Sequence, residues 1–331
     1  MKISKVLGIA LGGTAFAAAG GLAGAALYLY DYCLSPKPYD EKKDTSTNRA
    51  VFREGRRWMN EHVRRQDVYL LSWDRIQLHG NLIVSNTPGC HRYAVCVHGY
   101  RDSAESVGVF ARHYYEEYGM NVLLPDLRGH GASEGSYIGM GYDDAKDLIA
   151  WIHAIETRDP EAVVILHGLS MGAATVLTAT GMELPHSVKA VISDCSYTSA
   201  MEEFAHGYEQ LPKKVLPTEM ALQMVRGICL ARNHYDLAKA SPIEAVAGSS
   251  TPTLFIHGEA DRYVPAEMGK RLYEAAACRK DCLWVHGAGH AQSVAEDILG
   301  YWSKVDGFLE SVSPWILHDN IKDVDPFEDW S

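Results

Sequence analysis

Ser170, Asp261 and His290 are the residues of this chain whose types and order suit acyl transfer. A serine hydroxyl is a weak nucleophile until a base takes its proton and a carboxylate orients that base. Ser170 sits in Gly168-Leu-Ser-Met-Gly172, between an apolar run at 162–166 and a small-residue run at 173–180. That context predicts strand, sharp turn and helix, with one hydroxyl lifted above the end of a sheet and glycines where two backbones meet. Asp261 follows a strand candidate in Ile256-His-Gly-Glu-Ala-Asp261, and His290 ends the loop Gly287-Ala-Gly-His290 beyond the last one. Asp194 and Glu259 are the rival acids and His286 the rival base; Asp194 also reads as a cap for the turn that follows it. His98, His167 and His257 each precede a glycine at a strand end and read as partners of local backbone. An acyl-transfer centre further needs N–H donors aimed at the developing oxyanion, each worth about 3 kcal/mol of barrier. The turn itself supplies the N–H of Met171, and the loop after the first parallel strand that of Tyr100, with Arg101 as the alternative.

These residues must be held by elements, and the sequence outlines them. Residues 68–73 and 76–84 read as a hairpin joined through Asp74-Arg75. Apolar runs at 93–97, 121–125, 162–166, 188–193, 252–256 and 281–285 then alternate with helical stretches at 104–118, 142–157 and 171–181. β-branched runs without period-two polarity argue for a mostly parallel, doubly wound sheet buried on both faces. In such a sheet ligands gather at the carboxyl ends of the strands, where every residue singled out above falls. Residues 197–248 contain no strand candidate but carry helical runs with Met201, Phe204, Tyr208, Met220 and Val225, and read as a small helical cap insertion over the sheet.

The first 30 residues have a different character. A short basic start at 1–5 precedes an uncharged, Ala/Gly-rich stretch at 6–30, longer than the roughly 20 residues that cross a bilayer as a helix. It carries Gly8-x-x-x-Gly12 and Gly20-x-x-x-Gly24, spacings that let membrane helices approach closely. The expectation is an uncleaved single-pass anchor, although Ala17–Ala19 would also suit a signal peptidase. Lysines on both sides leave the positive-inside rule undecided, and the long domain that follows sets the expectation of an extracytoplasmic catalytic domain. Residues 31–66 read as a tether and an arginine-bearing juxtamembrane helix, 67–318 as the catalytic domain, and 319–331 as an acidic tail.

Composition narrows the partners. A net charge of −11 and the lack of a basic stripe argue against nucleic acid. Seven cysteines without paired C-x-x-C spacing give no zinc site, and no cofactor is called for; Cys278 and Cys282 are the one pair near enough in sequence to bridge. Oligomeric state stays open.

From about residue 67 to residue 310 the chain resembles the α/β-hydrolases, and within them the membrane-tethered bacterial serine hydrolases of the serine aminopeptidase-like branch. The resemblance rests on His98-Gly-Tyr, Asp126-Leu-Arg-Gly-His-Gly-Ala-Ser-Glu-Gly135, Gly168-Leu-Ser-Met-Gly172, Ser241-Pro242, Gly258-Glu-Ala-Asp261-x-x-Val264-Pro265 and Gly289-His290. Ala173 departs from the second glycine that many members carry. The resemblance implies a serine hydrolase that cleaves carboxylic esters of small-molecule or lipid-like acyl substrates through an acyl-enzyme. A peptidase or thioesterase would use the same residues, and a non-catalytic binding module on this fold would be expected to lose one of the three.

Overall fold

The computed structural model describes residues 21, 23–37, 49–214 and 216–317. Eight strands form one sheet in the order β1-β2-β4-β3-β5-β6-β7-β8. The strands are β1 (Gln66–Leu71), β2 (Gln77–Ile83), β3 (Arg92–Val97), β4 (Asn121–Pro125), β5 (Val163–Leu169), β6 (Val188–Asp194), β7 (Thr253–Gly258) and β8 (Lys280–Val285). β1 pairs antiparallel with β2, and β2 with β4; every later pairing is parallel. The hairpin turn is longer than the two residues expected. The ladder ends at Leu71↔Gln77, and Ser72–Ile76 turn with Arg75 at φ 68°.

The central strands are buried along their length, as their unbroken apolar runs require, and separate core layers cover the two faces of the sheet. One face holds α4 (Tyr142–Arg158) and α5 (Met171–Thr180); the other holds α3 (Gly108–Tyr118) and α11 (Ile298–Val312). All ten residues of α5 are buried, which only a Gly/Ala/Thr-rich helix permits when it is enclosed on every side. The expected cap at 197–248 divides. Helices α6 (Ala200–Glu209) and α7 (Thr218–Asn233) pack on each other above the sheet, whereas α8 (Pro242–Gly248) packs on α5 and α9 (Ala266–Ala275) within the main scaffold.

The N-terminal expectation changes most. Among the described residues no helix is long and apolar enough to cross a membrane, and most of the anchor expected at 6–30, residues 6–20 and 22, lies outside the described residues. What is described at its end, helix α1 (residues 23–34), does not trail off as a tether. Ala26, Tyr30 and Leu34, spaced at four-residue intervals on one face, are buried against the domain, and Asn233 donates to the Tyr30 hydroxyl at 2.7 Å. The division at residue 31 therefore falls inside an element. The arginine-bearing segment likewise docks. Helix α2 (Ala50–Glu61) buries Phe52, Trp58 and Met59, and its Gly55 meets Gly108 of α3 so closely that a Cβ at residue 55 would stand 2.4 Å from the Val109 nitrogen. The tether at 38–48 and the acidic tail lie outside the described residues. All seven cysteines are free, so Cys278 and Cys282 are not bridged.

Candidate active site

Ser170 caps the step from β5 into α5 at φ 56°, ψ −115°, a backbone conformation that costs a non-glycine residue on the order of 1–3 kcal/mol. The two glycines explain how the turn closes. A Cβ at Gly168 would lie 2.3 Å from the Gly172 carbonyl oxygen, and one at Gly172 would lie 2.1 Å from the Val97 carbonyl oxygen on β3. The strained turn holds the Ser170 hydroxyl 2.8 Å from His290 Nε2. His290 Nδ1 in turn lies 2.7 Å from Asp261 Oδ2, so residues separated by up to 120 positions form one continuous relay.

Asp261 is fixed from several sides. The N–H groups of Tyr263 and Val264 donate to Oδ1 at 2.9 Å each, and His257 Nε2 lies 3.4 Å from Oδ2. Burial alone would raise this carboxyl, but hydrogen bonds from His257 and His290 hold it well below the usual carboxylate range. It is an anion positioned to keep the His290 Nδ1 proton facing it. The rivals are accounted for elsewhere. Asp194 accepts from Ser293 and Tyr301 at 3.1 Å each, tying the segment after His290 to the end of β6, and burial pushes it up to about 6. Glu259 and His286 pair with each other at 3.0 Å on the surface, where the His286 side chain is 98% exposed.

His98 and His130 hold backbone in place, whereas His167, expected to do the same, bonds two tyrosine side chains instead. His98 accepts the N–H of Leu127 at 3.0 Å and donates to the Gly99 carbonyl at 2.8 Å. His130 accepts the N–H of Arg101 at 3.0 Å and donates to the Arg128 carbonyl at 3.0 Å; burial holds it neutral, down to about 3. His167 lies 2.9 Å from the hydroxyls of both Tyr114 and Tyr301 and is likewise pushed down to about 3 by burial. The His130 bond separates the two oxyanion candidates. It occupies the N–H of Arg101, whereas among the described residues the N–H groups of Tyr100 and Met171 donate to no protein acceptor.

Asp126, in the Asp-Leu-Arg-Gly-His-Gly segment, supports the same loop by accepting from the N–H of Ala104 and of Ala132 at 3.0 Å each. Arg128 lies almost wholly buried between Asp147 and Asp74, at 2.8 and 3.0 Å. Cys195, Asp261 and His290 bring possible metal-ligand atoms within 4.8 Å of one another. Burial drives the Cys195 thiol far up, however, and the other two are engaged with each other, so the set offers a thiol and a hydrogen-bonded pair rather than open anionic ligands.

Over Ser170 lies a cavity of about 310 Å³ with mostly apolar walls, drawn from the cap (Phe204, Leu222, Val225), from Tyr197, and from Leu29 and Cys33 of α1. The last turn of α1 is bound to the oxyanion loop, because the Tyr100 hydroxyl donates to the Cys33 carbonyl at 2.7 Å and the Arg101 guanidinium to that of Tyr32. Sequence reasoning passed over this wall, since an uncharged N-terminal run reads as lipid-facing. It also passed over Glu203, a buried residue of α6 that lines the cavity.

A family model described as "Serine aminopeptidase, S33" matches residues 90–239, from β3 through the oxyanion loop and the serine turn to the cap. The structure aligns with the Pyrococcus furiosus esterase Pf2001 at a TM-score of 0.59 over 77% of this chain and 95% of that one, with 21% identity. The fold is that of the α/β-hydrolases. Another α/β-hydrolase-like neighbour, Pyrococcus horikoshii acylaminoacyl peptidase, aligns at a TM-score of 0.55 over 75% of this chain and 41% of that one, at 16% identity. At such identities these likenesses speak for the fold alone. Among curated proteins, Bacillus subtilis YqkD is 28% identical over 202 residues, 61% of this hydrolase-fold chain and 66% of YqkD, so the match spans just under two thirds of that relative.

Proposed function

We propose that the chain is a serine hydrolase that cleaves carboxylic esters through an acyl-enzyme. Ser170 attacks the ester carbonyl and His290 takes its proton. Asp261 holds the imidazolium, and the N–H groups of Tyr100 and Met171 receive the oxyanion. The alcohol leaves with the proton from His290, and water, deprotonated by the same histidine, releases the acid. The observation that carries this reading is the continuous Ser170–His290–Asp261 relay, at 2.8 and 2.7 Å, beneath a largely apolar cavity. A binding module has no need of a strained serine at φ 56° in contact with a histidine base. A peptidase would use the same residues, and the family model's description favours it as the second reading.

A fluorophosphonate probe tests the nucleophile. The full chain labels and Ser170→Ala does not; labelling that survives in Ser170→Ala removes Ser170 from the role. A matched panel of esters, thioesters and aminoacyl amides tests the bond. Ester turnover well above amide turnover is expected, and the reverse order transfers the reading to a peptidase.

We further propose that the chain is held at a membrane, with the catalytic domain on the extracytoplasmic side. The uncharged N-terminal run at 6–30 supports this, while Ala26 and Tyr30 near its end face the domain. Recovery of the full chain in alkali-washed membranes checks attachment, and release by the wash counts against it.

A further inference from the structure

The polar groups lining the cavity can be followed one by one. The Ser170 hydroxyl belongs to His290. The hydroxyls of Tyr100, Tyr197 and Tyr208 donate to the carbonyls of Cys33, Met140 and Leu216 at 2.7, 3.1 and 3.1 Å. Arg101 donates to the Tyr32 carbonyl through a terminal nitrogen while its Nε is enclosed without a partner among the described residues, and Gln210 lies against His206 at 2.6 Å. Glu203 is the acceptor left in the same state. It is 8% exposed, it lines the cavity, and its Oε2 is enclosed without a hydrogen-bond partner among the described residues. Its neighbour Glu202 points away, paired with Thr198 and Arg271. A buried carboxyl oxygen left without a partner is costly, and at a residue that lines a cavity the group able to satisfy it is a ligand.

We propose that Glu203 is a specificity-determining residue that hydrogen-bonds a neutral hydroxyl group carried by the acyl part of the substrate. This rests on the ester-hydrolase reading and names the substrate class within it: hydroxylated acyl esters. Charge chooses among polar ligands. A cationic acyl group would enter a cavity already lined by the Arg101 guanidinium, and an anionic one would meet Glu203 with Asp261 close behind it. Burial, reinforced by Asp261 and Glu202, pushes Glu203 up to about 8, so near neutral pH it keeps its proton. A protonated carboxyl offers one O–H donor and acceptor oxygens, and a hydroxyl can answer both. Apolar walls around a single polar group suit a chain that is hydrocarbon except at one position.

The test uses the full chain and nitrophenyl esters of hexanoic and octanoic acid. These are taken unsubstituted, with a hydroxyl walked along the chain at positions that do not lactonise, and with a terminal amine. One hydroxy isomer is expected to exceed its unsubstituted parent in kcat/KM by roughly tenfold or more, and the amine to fall below the parent. In Glu203→Leu that ratio drops to about one, while Glu203→Gln, which keeps shape and hydrogen bonding, retains a ratio above one. No hydroxy isomer above its parent in the unaltered protein overturns the proposal, as does a Glu203→Leu protein that keeps the preference, or an amine that outruns both. Should Glu203→Leu fail to fold, the unaltered protein and Glu203→Gln decide. Loss of the ester-hydrolase reading looks different: no ester of any kind is turned over in a Ser170-dependent way.

Discussion

The reactivity proposed for Ser170 rests on where its backbone stands. The turn that gives it φ 56° survives only because residues 168 and 172 lack side chains, and at Gly172 the opposing atom is a β3 carbonyl with no freedom to retreat. Gly172→Ala is therefore expected to cost more than about 4 kcal/mol and to yield little soluble protein. Gly227, on α7 with no atom within 4 Å of its missing Cβ, is the contrast. Gly227→Ala should leave the fold intact and raise stability by about 0.5–1 kcal/mol through helix propensity, read from urea denaturation midpoints. The choice of base is equally sharp. His290→Ala should lower kcat by roughly 10⁴-fold or more, whereas His286→Ala, changing a side chain 98% exposed and paired only with Glu259, should leave it within about twofold. Equal losses in the two variants would overturn the assignment.

At the scale of elements, the oxyanion loop is held from two directions. His98, His130 and Asp126 fix its backbone from the sheet side, and the last turn of α1 holds the Tyr100 and Arg101 side chains from the other. Tyr100→Phe removes the 2.7 Å bond to the Cys33 carbonyl while leaving the backbone N–H in place. It should lower kcat several-fold with little change in KM for short acyl esters, because what loosens is a transition-state donor. A change in KM alone would show that the bond shapes the cavity wall instead.

The elements themselves were readable to differing degrees. Apolar, β-branched runs and a small-residue run mark β3 to β7 and α5, because burial on both faces leaves little other composition open to them. Asp261 and His290 were legible because each follows a strand end in a recognisable loop. The docking of α1 was not, since a face that packs on a domain and a face that meets lipid select the same apolar residues. Nor was Glu203, because single-residue hydropathy places a glutamate in solvent and the packing that buries it is tertiary.

For the molecule as a whole, Glu203 ties stability to pH. In the folded chain it keeps a proton up to about 8 that the unfolded chain gives up near its ordinary value of 4.5. The native state thus binds more protons across that window, and the stabilising balance present below it is lost as the pH rises toward 8. Glu203→Gln, unable to ionise, should raise the melting temperature relative to the unaltered protein at pH 8.5, and the gain should shrink steadily toward pH 5. A difference independent of pH would mean that the carboxyl ionises in the folded chain as it does in water.

Helix α1 has a consequence for how the N-terminus can vary. A leader that merely delivers a domain can be exchanged, trimmed or lengthened without touching the chemistry downstream. Here the residues next to the apolar leader are also a wall of the cavity and a brace for Tyr100. Proteolysis or fusion at residue 30 would therefore alter a cavity wall and the support of Tyr100 together, whatever it does to the location of the chain.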